Sequence, residues 1–221
     1  MSNTRTHSAS KIVFYIIAGI FCLLGVTFGI ICLLQGNYVD TAKGFAAPLF
    51  LLIPFILKRL TIPFVPSVYS MLFAFCILAY DFGSVLNLFD TVPFLDKISH
   101  FLSGLVFTII GYCLYFKIAP STPQGITGKP FLSSSYALFF SSFVAVIWEC
   151  FEFFGFLLTG HDSQHTLTTG VFDTMGDLIA CLLGSVICIA AFALSVKKGT
   201  PSVSRRLVQD FYNAQKTPVQ N

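Results

Sequence analysis

The sequence contains very little charge. Of its 221 residues, 13 are Lys or Arg and 10 are Asp or Glu. A soluble domain carries roughly a quarter charged residues, so this composition excludes a water-soluble globule. The 55% share of apolar residues excludes intrinsic disorder, which requires low hydrophobicity and high charge. A net charge of +3 provides no basic stripe, so we expect no nucleic-acid partner.

Several motifs of known chemistry are also missing. The seven cysteines form no CxxC pair and all fall inside apolar runs, so we interpret them as small buried residues without disulfides. The chain has no nucleophilic Ser or Cys motif and no phosphate-binding glycine loop. Motifs alone therefore leave open whether the protein is an enzyme.

Long apolar runs are abundant, and they predict an all-α polytopic membrane protein, because about 20 apolar residues cross a bilayer as a helix. We expect a single transmembrane domain over 1–199 and a cytoplasmic tail over 200–221. The second run contains Pro48 and Pro54 and is short, so it either borrows flanking residues or is re-entrant. The six predicted spans are about 12–34, 44–60, 66–88, 93–116, 130–159 and 170–196.

The basic residues predict the orientation, since cytoplasmic loops carry an excess of Lys and Arg. With the N-terminus inside, Lys43 and Lys97 lie on the outer side. All other basic residues lie on the inner side: Arg5, Lys11, Lys58, Arg59, Lys117, Lys129, Lys197, Lys198, Arg205, Arg206 and Lys216. Both termini are therefore predicted to be cytoplasmic.

The tail has two interpretations. It could form a basic amphipathic helix through Val203, Leu207 and Phe211, which would lie on anionic lipid. It could equally be a solvated segment without regular structure.

The acidic residues gather toward the predicted outer face. An ionised group at the bilayer centre costs on the order of 3 kcal/mol, so such groups should face the bundle interior and share a pocket. Asp81 and His165 are peripheral candidates, although His165, like His161, could be a solvated loop residue. Three helices each present a polar pair at helical spacing: Asp96 with His100, Glu149 with Glu152, and Asp173 with Asp177.

Simpler interpretations exist for some of these residues. Asp96 and Asp173 could occupy first helical turns, where the helix dipole favours a carboxylate. His100 could be a core histidine bonded to a backbone carbonyl. Glu149 and Glu152 have no such explanation, because no helix end accounts for two acids in the middle of a span.

Two chemistries fit the cluster. In the first, Asp96, His100 and Asp173 hold a divalent metal such as Zn²⁺ or Mn²⁺, which activates water against a lipid-linked or amphiphilic molecule. In the second, packed carboxylates exchange protons as general acid and base, which would serve a transporter of protons, metal ions or a small solute equally well. A structural or partner-binding membrane subunit is a third possibility. The predicted catalytic residues are Glu149, Glu152 and Asp177.

Three sequence blocks resemble known membrane families. The blocks are DKISHFLSG (Asp96–Gly104), WECFEF (Trp148–Phe153) and DTMGDLIACLLGS (Asp173–Ser185). They resemble the YjdF-like and, more distantly, the VanZ-like families, in which an Asp-x-x-x-His-Phe helix, a Glu-bearing helix and an Asp-rich final helix recur in this order. The resemblance implies a multi-pass protein of the bacterial plasma (inner) membrane and supports a site shared by three helices. It names no reaction or substrate.

Overall fold

The computed structural model is helical throughout most of the chain. It describes residues 2–52, 56, 59, 62–86, 88–119, 125–160 and 162–216; for residues 2–10, 50 and 90 it describes the backbone only. No strand occurs among these residues, which confirms the predicted all-α fold. His161 and part of the predicted span 44–60 lie outside the described residues.

Five described helices are long and apolar enough to cross a bilayer, so the protein is a polytopic membrane protein. Pro66 and Pro130 each occupy the first turn of a helix, where the missing N–H costs nothing. Gly160 ends the helix that Pro130 begins, and Gly199 ends the last spanning helix, with positive φ angles of 74° and 72°. The five helices are Lys11–Leu34, Pro66–Val85, Leu95–Ile118, Pro130–Thr159 and Phe172–Lys198.

These bounds lie within three residues of five of the six predicted spans. The second predicted span, 44–60, does not begin as a new helix. Its first residues are the end of the helix Tyr38–Ala46, which is followed by a 3-10 helix over Ala47–Leu52. That it spans the membrane stays a prediction.

The chain forms two compact units, the first of which contains Met1–Leu95 and Asp210–Asn221. Its core is aromatic, with Phe14 and Phe21 each edge-on to Phe73 at centroid distances of 5.5 and 5.6 Å. Its helices are α1 (Ser2–Leu34), α2 (Tyr38–Ala46), α3 (Pro66–Cys76, continued by a π-helical segment over Ile77–Val85) and α4 (Leu88–Thr91).

The second unit is Asp96–Gln209, and glycines bring two of its helices close together. A Cβ atom at Gly104 would overlap the carbonyl of Cys181, and one at Gly184 would overlap the carbonyl of Phe101. Small residues of this kind allow membrane helices to approach closely. The helices of this unit are α5 (Leu95–Ile118), α6 (Pro130–Thr159), α7 (Thr166–Thr169), α8 (Phe172–Lys198) and the first half of α9 (Val203–Lys216).

The tail contains a helix, α9. Val208, Phe211 and Tyr212 are buried, whereas Val203 is 73% exposed and Leu207 is half-buried. The helical interpretation of the tail is confirmed, with Val203 outside the buried face of the helix. That this helix lies on anionic lipid stays a prediction.

Candidate functional site

The candidate site lies one helical turn from the point where Gly104 of α5 packs against Cys181 of α8. His100 precedes Gly104 by four residues on α5, and Asp177 precedes Cys181 by four residues on α8. Residues four apart lie on the same face of a helix, so the close approach at the glycine brings these two side chains together. The imidazole Nε2 of His100 lies 3.8 Å from Oδ1 of Asp177, and both residues are buried.

Helix α6 contributes a carboxylate from a narrow face. Every fourth residue on this face is buried: Ser133, Ala137, Ser141, Ala145 and Glu149. The first four side chains are small, so α6 can pack closely and end this row with a glutamate in the interior. Oε1 of Glu149 lies 4.0 Å from Nε2 of His100.

Asp96, His100 and Asp177, called the triad below, lie close enough together that they could hold one metal ion. One donor atom from each lies within 4.8 Å of the others. Nε2 of His100 is 3.5 Å from Oδ1 of Asp96 and 3.8 Å from Oδ1 of Asp177. A metal with bonds of about 2.0–2.2 Å places its ligands roughly 3–4 Å apart, so both distances are compatible with a single ion.

One oxygen of Glu149 is left without a hydrogen bond. Gln164 donates from Nε2 to Oε2 and to the main-chain oxygen of Glu149, both at 3.0 Å. Oε1 has no hydrogen-bond partner within the described part of the chain, although Glu149 is only 6% exposed. A buried polar atom without a partner costs on the order of 1–3 kcal/mol, and this oxygen is available to a ligand.

Lys97 lies among the carboxylates of α5 and α8. Its Nζ forms ion pairs with Asp173 at 2.6 Å, with Asp177 at 2.7 Å and with Asp96 at 3.2 Å. Sequence reasoning used Lys97 only to orient the helices and assigned it no role in the site. The spacing Asp173–Asp177 could have indicated it, because two acids one turn apart attract a cation.

The site has an excess of acids over bases. Lys97 and His100 are the two basic side chains in the ion pairs described here, so even a protonated His100 leaves three acids uncompensated when all are ionised. Uncompensated buried charge is costly, which favours a bound cation or proton. The five acids are Asp96, Glu149, Glu152, Asp173 and Asp177.

Three other predicted site residues, Glu152, Asp81 and His165, are not part of the triad. Glu152 is half-buried and accepts a hydrogen bond from Nε1 of Trp148 at 2.9 Å. Asp81 belongs to the first unit, inside its π-helical segment, where both carboxylate oxygens are buried without a hydrogen-bond partner among the described residues. His165 is half-buried in a loop, and its carbonyl accepts hydrogen bonds from Thr168 and Thr169.

That loop connects α6 to α8 and places Gln164 on Glu149. The Asp162 carboxylate accepts backbone N–H bonds from Leu167 at 2.8 Å and from Thr166 at 2.9 Å. These bonds stabilise the charged form and hold the pKa of Asp162 below its usual range. His165 has a φ of 48°, a left-handed conformation in the middle of the turn. Sequence reasoning missed Gln164, because nothing in a loop sequence shows which side chain folds inward.

The chain was compared with known proteins in three ways. A search of curated proteins found no match, and a search of solved structures found none. A family model described as "Predicted membrane protein (DUF2238)" matches residues 14–198. This match includes most of α1 and the other four spanning helices, together with every residue of the triad. The chain therefore belongs to the DUF2238 family of predicted membrane proteins.

Proposed function

We propose that this protein binds a divalent transition-metal ion at Asp96, His100 and Asp177 and uses it to act on a lipid-linked or amphiphilic molecule. One imidazole nitrogen with carboxylate oxygens suits Zn²⁺ or Mn²⁺. The single observation that carries the proposal is the triad, whose donor atoms lie within 4.8 Å of one another in a buried, acid-rich cluster.

Glu149 is the proposed general base. Its Oε1 lacks a hydrogen-bond partner among the described residues and lies 4.0 Å from Nε2 of His100. A metal ion beside it would polarise a bound water, and Glu149 could take the proton of that water. The resulting hydroxide would attack an ester or phosphoryl centre, and the protonated Glu149 would return its proton to the oxygen of the leaving group.

The other predicted site residues have supporting roles in this proposal. Asp173, which sequence reasoning placed among the metal ligands, anchors Lys97 at 2.6 Å. Asp177, predicted as catalytic, takes its place as the third ligand. Glu152 adds negative charge near His100 and accepts from Trp148. Asp81 and His165 have no part in the proposed metal site.

The setting proposed for this chemistry is the outer face of a bacterial plasma membrane. The triad lies at the starts of α5 and α8, which the distribution of Lys and Arg assigns to the outer side. A YjdF-like kinship fits membership of the DUF2238 family. The VanZ-like resemblance rests on the three sequence blocks alone.

The test is elemental analysis of protein purified without chelators and titrated with Zn²⁺ or Mn²⁺. We expect about one ion per chain in the wild type and a loss of binding in His100→Ala. His165→Ala is the matched control and should keep the ion, because His165 is not part of the triad. Thermal unfolding of each variant would show that a loss of metal is not a loss of fold. A wild type that binds neither ion would refute the proposal.

The hydrolytic part has its own assay. Metal-loaded protein in proteoliposomes would be given fluorescent phospholipids and prenyl diphosphates as amphiphilic probes. We expect metal-dependent cleavage that Glu149→Gln abolishes even at metal concentrations that fill its weakened site. Uptake of the ion into the vesicle without cleavage would instead favour a carrier.

A further inference from the structure

Lys97 and the proposed metal ion require the same carboxylate oxygen. Oδ1 of Asp177 is 2.7 Å from Nζ of Lys97 and 3.8 Å from Nε2 of His100. Asp96 divides its two oxygens, with Oδ2 on Lys97 at 3.2 Å and Oδ1 on His100 at 3.5 Å. An ion held by the triad would therefore share at least one ligand atom with the ammonium group.

The position of Lys97 is built into the helix packing. A Cβ atom at Gly176 would lie 3.1 Å from Cε of Lys97, so the lysine stem crosses α8 where no side chain is present. Nζ of Lys97 therefore lies between Asp173 and Asp177, which are one turn apart on the same helix. The ion pairs with these two residues are short, at 2.6 and 2.7 Å.

We propose that Lys97 is a tethered competitor cation: it occupies the acidic site when no metal is bound, and a divalent ion displaces it from Asp177. This inference rests on the proposed metal site and concerns its regulation. Asp173 is outside the triad, so Lys97 keeps one carboxylate partner after displacement.

The physical reason is a competition of charges for the same acids. A divalent ion interacts twice as strongly as an ammonium group with each carboxylate at equal distance, which allows displacement. The ammonium is held at high local concentration by its tether, so it raises the metal concentration needed for binding. Lys97 thereby selects for ions of higher charge. It excludes Na⁺ and K⁺, because the carboxylates attract a monovalent ion no more strongly than they attract the ammonium group.

The first test removes the competitor. Lys97→Met keeps the length of the stem without its charge, and Lys97→Gln serves if the Met variant does not fold. We expect either folded variant to bind Mn²⁺ at least about tenfold more tightly than the wild type, as judged by the electron spin resonance signal of free Mn²⁺. Lys43→Met is the matched control, because Lys43 pairs with Asp40 at 2.8 Å outside the triad. Its affinity should equal that of the wild type.

The second test follows Lys97 in the wild-type protein. An amine-reactive ester should acylate Lys97 several-fold faster after Mn²⁺ is added, as measured by mass spectrometry of the peptide. Acylation of Lys43 should not change with Mn²⁺.

The outcomes separate the two proposals. If the wild type and the folded Lys97 variants bind Mn²⁺ equally, or the variants bind more weakly, the competition is refuted while the metal site stands. If Lys97 reactivity does not respond to a bound ion, displacement is refuted. If no protein binds an ion, the metal site and the competition both fall.

Discussion

Replacing Gly184 by alanine should have two opposite effects on stability: a gain in helix propensity and a steric clash with the neighbouring helix. In a helix interior, Gly→Ala gains up to about 1 kcal/mol because alanine has the higher helix propensity. At Gly184, however, the new Cβ atom would overlap the carbonyl oxygen of Phe101, and backbone cannot rotate away as a flexible side chain can. Overpacking of this kind typically costs about 1–3 kcal/mol. We expect a net loss of up to about 2 kcal/mol in the free energy of unfolding.

Gly155→Ala is the matched control. Gly155 also lies inside a spanning helix, but a Cβ atom there would meet nothing within 4 Å. The propensity gain is then unopposed, and this variant should be neutral or stabilised by up to about 1 kcal/mol. Reversible unfolding in mixed detergent micelles, followed by the fluorescence of Trp148, the only tryptophan, measures both variants.

The same substitution should weaken the metal site. His100 is next to Phe101 in sequence and Asp177 lies two turns before Gly184 on α8, with Nε2 and Oδ1 separated by 3.8 Å. Two ligands of one ion cannot be further apart than about twice a bond length of 2.0–2.2 Å. A helix displacement of about 1 Å at Gly184 would exceed this limit, so Mn²⁺ affinity should fall with stability. If Gly184→Ala and Gly155→Ala shift stability in the same direction, the close approach of α5 and α8 is wrong.

Four other predictions follow from single contacts. Glu149→Gln should lower metal affinity about tenfold, measured by Mn²⁺ titration, and Glu152→Gln by much less, because of these two glutamates it is Glu149 that has a carboxylate oxygen 4.0 Å from the His100 imidazole. Val208→Ala should cost about 1.5–3 kcal/mol in thermal unfolding, since this valine is fully buried, and the exposed Val203→Ala should cost almost nothing. Asp81→Asn should raise the melting temperature and leave metal binding unchanged, because both oxygens of Asp81 are buried without a hydrogen-bond partner among the described residues. The loop after α6 should open as the pH falls through the lowered pKa of Asp162, because the ionised carboxylate that holds the loop exists only above that pKa. Hydrogen exchange of the loop should therefore depend on pH in the wild type and lose this dependence in Asp162→Ala.

Much of the fold could be predicted because apolar length and helix ends are local signals. Pro66 and Pro130 mark helix starts and Gly160 and Gly199 mark helix ends, and the helices begin and end there. The π-helical segment over Ile77–Val85 could not be predicted, since its apolar composition resembles that of an ordinary helix. The buried face of α9 could not be predicted, because Val203 and Val208 are equally apolar and only packing distinguishes them.

The candidate site was partly visible from spacing. The pairs Asp96 with His100 and Asp173 with Asp177 predict shared helix faces, but spacing does not show which member of a pair points inward. For α6 a usable signal existed: the small residues Ala137, Ser141 and Ala145 continue at the same spacing to Glu149 and not to Glu152. Lys97 and Gln164 depend on contacts between distant segments, which no local pattern reports.

The most direct measurement of the central claim is X-ray absorption spectroscopy of the Zn²⁺-loaded protein. The account predicts one imidazole nitrogen and carboxylate oxygens at about 2.0–2.2 Å, with the imidazole signal lost in His100→Ala and kept in His165→Ala. An oxygen-only shell like that of the hydrated ion, or a spectrum that His100→Ala leaves unchanged, would contradict it.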